Sequence, residues 1–157
     1  LAYSAWHKEK NMAALELTAN SNSQAIAATT AETVLQLTAA ANHRIRVKGF
    51  SVTVAGTSPI DLTVRIVRQT TAGTSGTAVT PVKLEPGAAE TIQTTAATNF
   101  SAEPTSTDVL GYMRLQGSYK EIFPLGNEII IAGGGRIGIE CTCTSSATVA
   151  AEFRFEE

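Results

Sequence analysis

At 157 residues the chain can bury roughly 70% of its unfolded surface around one core, so a single domain is the default. Hydrophobic residues make up 43% of it and charged residues only 17%, which leaves a globular protein whose exterior is largely Thr, Ser, Ala and Gly. A formal net charge of -2 with no dense basic run excludes nucleic acid as the main partner, no apolar run nears the ~18 residues of a membrane span, and two cysteines do not make a disulfide scaffold.

The first eleven residues, "LAYSAWHKEKN", hold the single tryptophan, Trp6, and no hydrophobic block of the signal-peptide kind. Met12 then reads like a gene start. Residues 1–30 are expected to form an N-terminal arm or extension ahead of a β domain over 31–157. Strands are predicted at 13–19 and 32–38, since the intervening Ala- and Thr-rich stretch lacks the three-to-four spacing of a helix.

In "HRIRVKGFSVTVA" (43–55) the alternation changes phase. Ile45 and Val47 are apolar at odd positions, whereas Phe50, Val52 and Val54 are apolar at even ones. The slip at Gly49 predicts a β-bulge that keeps both halves facing the core. Arg44, Arg46 and Lys48 share the outward face, either as a solvated face that discourages edge pairing or as a contact for an acidic partner.

"DLTVRIVRQ" (61–69) turns Leu62, Val64 and Ile66 inward. Residues 69–108, rich in Thr, Ala, Gly and Pro, predict a long loop with one extended piece at 80–85. Val79, Val82, Leu84, Ile92 and Phe100 are too many apolar side chains for a flexible linker, so docking onto a neighbour is expected. Trp6, Arg44, Arg46, Lys48, Leu84 and Phe100 are the candidate partner contacts.

Further strands are predicted at 109–116, 119–125 and 128–132. The stretch "EIIIAGGGRIGIECTC" (128–143) could signal a phosphate loop or a metal site. Its glycines lead into a strand, whereas phosphate loops lead into a helix N-terminus. They are expected to make a tight turn. Ile137, Ile139, Cys141 and Cys143 alternate inward, with Arg136, Gly138, Glu140 and Thr142 outward. The two cysteines stand too close together and too alone for zinc, and parallel side chains on one strand do not give disulfide geometry. The last strand, 148–156, turns Val149, Ala151, Phe153 and Phe155 inward and Thr148, Glu152, Arg154 and Glu156 outward. The whole predicts an all-β fold: an antiparallel two-sheet β-sandwich, jelly-roll-like, with an extended N-terminal arm.

Catalytic constellations are scarce. His7 and His43 are the only histidines, and no "GxSxG" elbow accompanies them. Asp61 and Asp108 stand where turns are expected. Twelve glutamates leave room for a glycosidase pair, but Glu140, Glu152 and Glu156 fall on outward strand positions with cations between them, where solvated cross-strand pairing accounts for them. Trp6, Tyr112 and Tyr119 are too few aromatics for a lectin. The expectation is a non-enzymatic protein without cofactor or metal.

The segments "ANHRIRVKGFSVTVAG", "VRQTTAGTSGTAVTPVKLEPGAAET", "FSAEPTSTDVLGYMRLQGSY" and "FPLGNEIIIAGGGRIGIECT", spread over residues 40–157, resemble a family of small structural proteins of tailed bacteriophages. The resemblance implies a virion protein on the outside of the capsid, a decoration or cement protein that bridges major capsid proteins. It further implies a homo-oligomer, with a trimer favoured. The N-terminal segment lies outside the resemblance and departs from it; a capsid-anchoring arm is the expectation there. A tail- or fibre-associated receptor-binding β-sandwich is the alternative.

Overall fold

A computed structural model of the chain describes residues 14–55, 61–74 and 76–157. Thirteen strands are described: β1 (Glu16–Asn20), β2 (Gln24–Ile26), β3 (Glu32–Thr38), β4 (Ile45–Ala55), β5 (Leu62–Gln69), β6 (Thr77–Val79), β7 (Val82–Lys83), β8 (Thr95–Thr98), β9 (Ser106–Leu115), β10 (Tyr119–Ile122), β11 (Ile129–Ile131), β12 (Arg136–Cys143) and β13 (Ala147–Glu156). They form two antiparallel sheets, consistent with a β-sandwich. The first sheet runs β10-β4-β13-β1-β7, with β11 also on β4 and β2 also on β13; the second runs β6-β8-β3-β12-β5-β9.

The alternation read along the chain is what closes this core. Phe153, Phe155, Val149 and Ala151 of β13 are buried against Leu17 of β1, Ile45, Val47 and Val52 of β4, and Leu35 and Leu37 of β3. Cys141 and Cys143 lie in the same cluster with Ile137 and Ile139, as free buried thiols. Burial pushes both thiols up from their ordinary acidity, so each behaves as a small apolar side chain.

The bulge falls where the phase slip placed it. Arg154 pairs with Gly49 and Phe155 with Val47, which leaves Lys48 as the extra residue. A Cβ at Gly49 would come within 2.5 Å of the Glu121 carbonyl oxygen of β10, so only glycine lets the neighbouring strand approach. The Gly133–Gly135 triplet is a turn. Gly134 has φ +77°, and a Cβ on Gly133 would run into the Ala41 carbonyl.

Two boundaries are corrected. Residues 16–26 belong to the sandwich: β1 pairs with β13 from Glu16↔Glu156 to Asn20↔Glu152, and Leu17 is fully buried, so the arm cannot extend to residue 30. Residues 1–13, Trp6 and His7 among them, lie outside the described residues. The segment 69–108 is no plain loop, because it contributes β6, β7 and β8 to its own chain's sheets. β8 escapes sequence reading because "TTAAT" has no large apolar residue, yet Ala96 and Thr98 are buried.

Candidate functional site

The basic stripe on β4 is occupied from within the chain. Lys48 Nζ is paired with Glu16 of β1 and, at 2.6 Å, with Glu156 of β13; Arg46 reaches Glu156 at 3.9 Å. The bulge brings this about, since Lys48 is the unpaired extra residue whose side chain crosses β13. Its pKa is raised by the hydrogen bond to Glu156 and then by that to Glu16. Of the three cations, only Arg44 is exposed and forms no ion pair among the described residues. Glu156 therefore follows the cross-strand pairing read from sequence.

Glu140 does not. It points outward from β12 but is only 8% exposed, because residues 103–106 cover that face of the second sheet. Its carboxylate accepts from Arg65 Nη1 at 2.8 Å and from Ser106 Oγ at 2.9 Å. Alongside, Gln36 Nε2 donates to Gln69 Oε1 (2.8 Å), and Gln69 Nε2 donates to Thr33 Oγ1 (3.0 Å). Glu103 accepts the Thr33 backbone N–H at 2.7 Å; desolvation is the leading cause that raises its carboxyl above the ordinary 4.5. Each polar group finds a partner, so this layer fastens the covering segment to the sheet. A strand periodicity shows that Glu140 faces outward; it carries no sign that a segment 35 positions earlier lies over it.

The other sequence candidates disperse. Phe100 is half-buried over Gly73 and Gly76 of its own chain; a Cβ on Gly76 would meet its ring at 2.6 Å. Leu84 is 47% exposed and borders a trough with Leu15, Ala88 and Ala89. Asp61 pairs with Arg114. Asp108 stands inside β9, not in a preceding turn. His43 contacts Asn42 at 3.1 Å, and among the described residues no acid and nucleophile stand in hydrogen-bond reach of it. Among the described residues no three His, Cys, Asp or Glu side chains gather to hold a metal ion, and no helix is long and apolar enough to cross a membrane.

What remains exposed and apolar lies at the strand edges and their adjoining turns. The β6 and β7 edges share one flank, where Val82 (58%) and Leu84 stand open. The β9, β10 and β11 edges share the other, with Val109, Leu110, Tyr112, Tyr119, Ile122, Leu125 and Ile130. Leu125, 90% exposed, sits in the turn Pro124–Asn127, held by the Asn127 N–H donating to the Pro124 carbonyl at 2.9 Å and by Gly126 at φ +92°. Sequence reading expected docking through two of these side chains, Val82 and Leu84, and named Leu84 as a candidate contact. Tyr112 and Ile122 alternate like ordinary strand residues, and only the sheet order shows that they sit on outer strands.

No protein-family model, no curated protein and no solved structure matches the chain.

Proposed function

We propose that this chain is a bacteriophage virion structural protein, a decoration or cement protein that adds contact area between major capsid proteins on the outside of the head. The observation that carries the reading is the division of its surface. Ion pairs and the strap over Glu140 occupy the two sheet faces, while large exposed apolar side chains are confined to two opposite flanks. A bridging protein needs contact on two sides, and exposed apolar side chains on a soluble domain mark interaction sites. The resemblance over residues 40–157 supports the same role, with copies of the chain associating among themselves.

The test compares particles made with and without the protein for genome retention on heating and after osmotic shock. Particles without it should release genome at lower temperature, and adding the purified chain back should restore them. Equal resistance would remove the cement role, and binding of the isolated chain to host-cell glycans would favour the receptor-binding alternative.

A further inference from the structure

Two hollows of about 590 and 510 Å³ adjoin at Ala14, Leu15 and Glu90 and form one trough beside the start of β1. Its apolar lining is Leu15, Leu84, Ala88 and Ala89, of which Leu84 is 47% exposed. Its acidic lining is Glu16, Glu85, Glu90 and Glu157; among the described residues no lysine or arginine lines it, and His43 is the one basic side chain. Glu16 is paired with Lys48, and Glu157 accepts from the Gln93 and Thr94 N–H groups. Glu85 and Glu90 are exposed and form no ion pair among the described residues. An apolar floor rimmed by uncompensated carboxylates fits an extended segment that carries both apolar side chains and cations.

Residues 1–13 have that composition, with Leu1, Tyr3, Trp6 and Met12 beside His7, Lys8 and Lys10 and a single acid, Glu9. They lead directly into Ala14, which lines both hollows. Leu15 exchanges two backbone hydrogen bonds with Glu157, each 3.1 Å, so the chain is extended where it meets the trough. Side chains alternate along an extended chain, which puts Met12, Lys10 and Lys8 on the side of Ala14 and Glu9 on the other. Trp6, eight positions from Ala14, has a reach of up to ~28 Å. We propose that residues 1–13 pack along this trough of their own chain, with Trp6 and Met12 on its apolar floor and Lys8 and Lys10 beside Glu85 and Glu90. Attachment at Ala14 holds the segment at high local concentration, which favours its own chain over a second copy. The contact does not depend on the virion reading. It covers Leu84 and leaves Val82, which borders a separate cleft between β1 and β6, exposed.

Trp6 is the only tryptophan, so the fluorescence of the full purified chain reads the contact directly. Its emission should be blue-shifted from that of the chain in urea, and acrylamide should quench it at least about threefold less. Both effects should hold at every protein concentration, because the contact is made within one chain. Leu84→Asp should return Trp6 to the values seen in urea, as should Glu85→Lys combined with Glu90→Lys; all three positions are exposed, so the core is undisturbed. Adding Lys8→Glu and Lys10→Glu to the glutamate exchange should restore the protection. Circular dichroism identifies any variant that fails to fold, and the other substitution then decides. Trp6 as accessible in the native chain as in urea, or protection that survives both Leu84→Asp and the glutamate exchange, would overturn the inference. Protection lost on dilution would give the trough to the segment of a second copy, and would overturn it equally.

Discussion

Gly138 is the most demanding position in the β12 sequence, and Gly138→Ala tests the buried polar layer directly. A Cβ there would stand 2.5 Å from Gln69 Oε1 and 2.8 Å from its Nε2, so the Gln69 amide has to move. Moving it breaks the hydrogen bonds to Gln36 (2.8 Å) and Thr33 (3.0 Å). Two such bonds contribute about 2 kcal/mol, and buried amide groups left without partners add about 1 kcal/mol more. Alanine recovers roughly 0.5–1 kcal/mol over glycine in a strand. The net loss is about 2 kcal/mol, which lowers the melting temperature of a domain this size by roughly 4–8 °C. Urea unfolding of Gly138→Ala, Gln69→Ala and the double variant gives the decisive comparison. Once Gln69 is truncated the obstacle is gone, so Gly138→Ala should then stabilise by roughly 0.5–1 kcal/mol. A loss under about 0.5 kcal/mol in the wild-type background, or an equal loss in both backgrounds, would refute the account.

Lys48→Ala removes both cross-strand ion pairs from a side chain that is 30% exposed, and should cost roughly 0.5–1 kcal/mol, less in ~1 M salt, by thermal unfolding. Because the Lys48 pKa is raised in the folded chain, that contribution is full below the ordinary lysine value and is lost only as pH rises through the raised one. Glu103 has the same sign on the acid side: its raised carboxyl favours the fold below 4.5, and the advantage is lost as pH rises through its folded value. The stability of Glu103→Gln relative to wild type should therefore increase from about pH 4 to about pH 7 by urea midpoint, and a constant difference would contradict the burial argument. Cys141 and Cys143 should react with an aromatic disulfide reagent only after denaturant is added; labelling of the native chain at the rate of a free thiol would show that the core near Ala147 opens.

Period-two patterning made most of the sandwich legible. The inward sets of β4, β5, β12 and β13 are buried as read, save Val54, which is partly buried, and the Gly49 slip located the bulge, because both depend only on neighbours along one strand. What sequence could not reveal depends on what lies across a face. β12 looks half-buried by alternation yet is covered on both sides, since the 69–108 segment folds back over Gly138 and Glu140. The strand at 13–19 was legible and β1 overlaps it, but nothing along the chain shows that it joins the sandwich and is not part of an arm; its pairing with β13 and β7 supplies that. The apolar flank formed by β9, β10 and β11 was invisible for the same reason, as an outer strand differs from an inner one only in the sheet order.

The order of the strands also governs when this chain can fold. β13 lies between β4 and β1 in one sheet and β12 between β3 and β5 in the other, so residues 136–156 supply an inner strand to each sheet. During synthesis β5 can pair with β9, β3 with β8 and β4 with β10, but neither sheet can be joined across its middle until β12 and β13 emerge, and closure waits for these long-range pairings, which are slow to form. A chain stopped short of residue 136 would lack an inner strand in both sheets at once, not merely a stretch of one edge. Incomplete copies should therefore remain unfolded as a whole, which limits any assembly built from this protein to chains whose translation has run through β13.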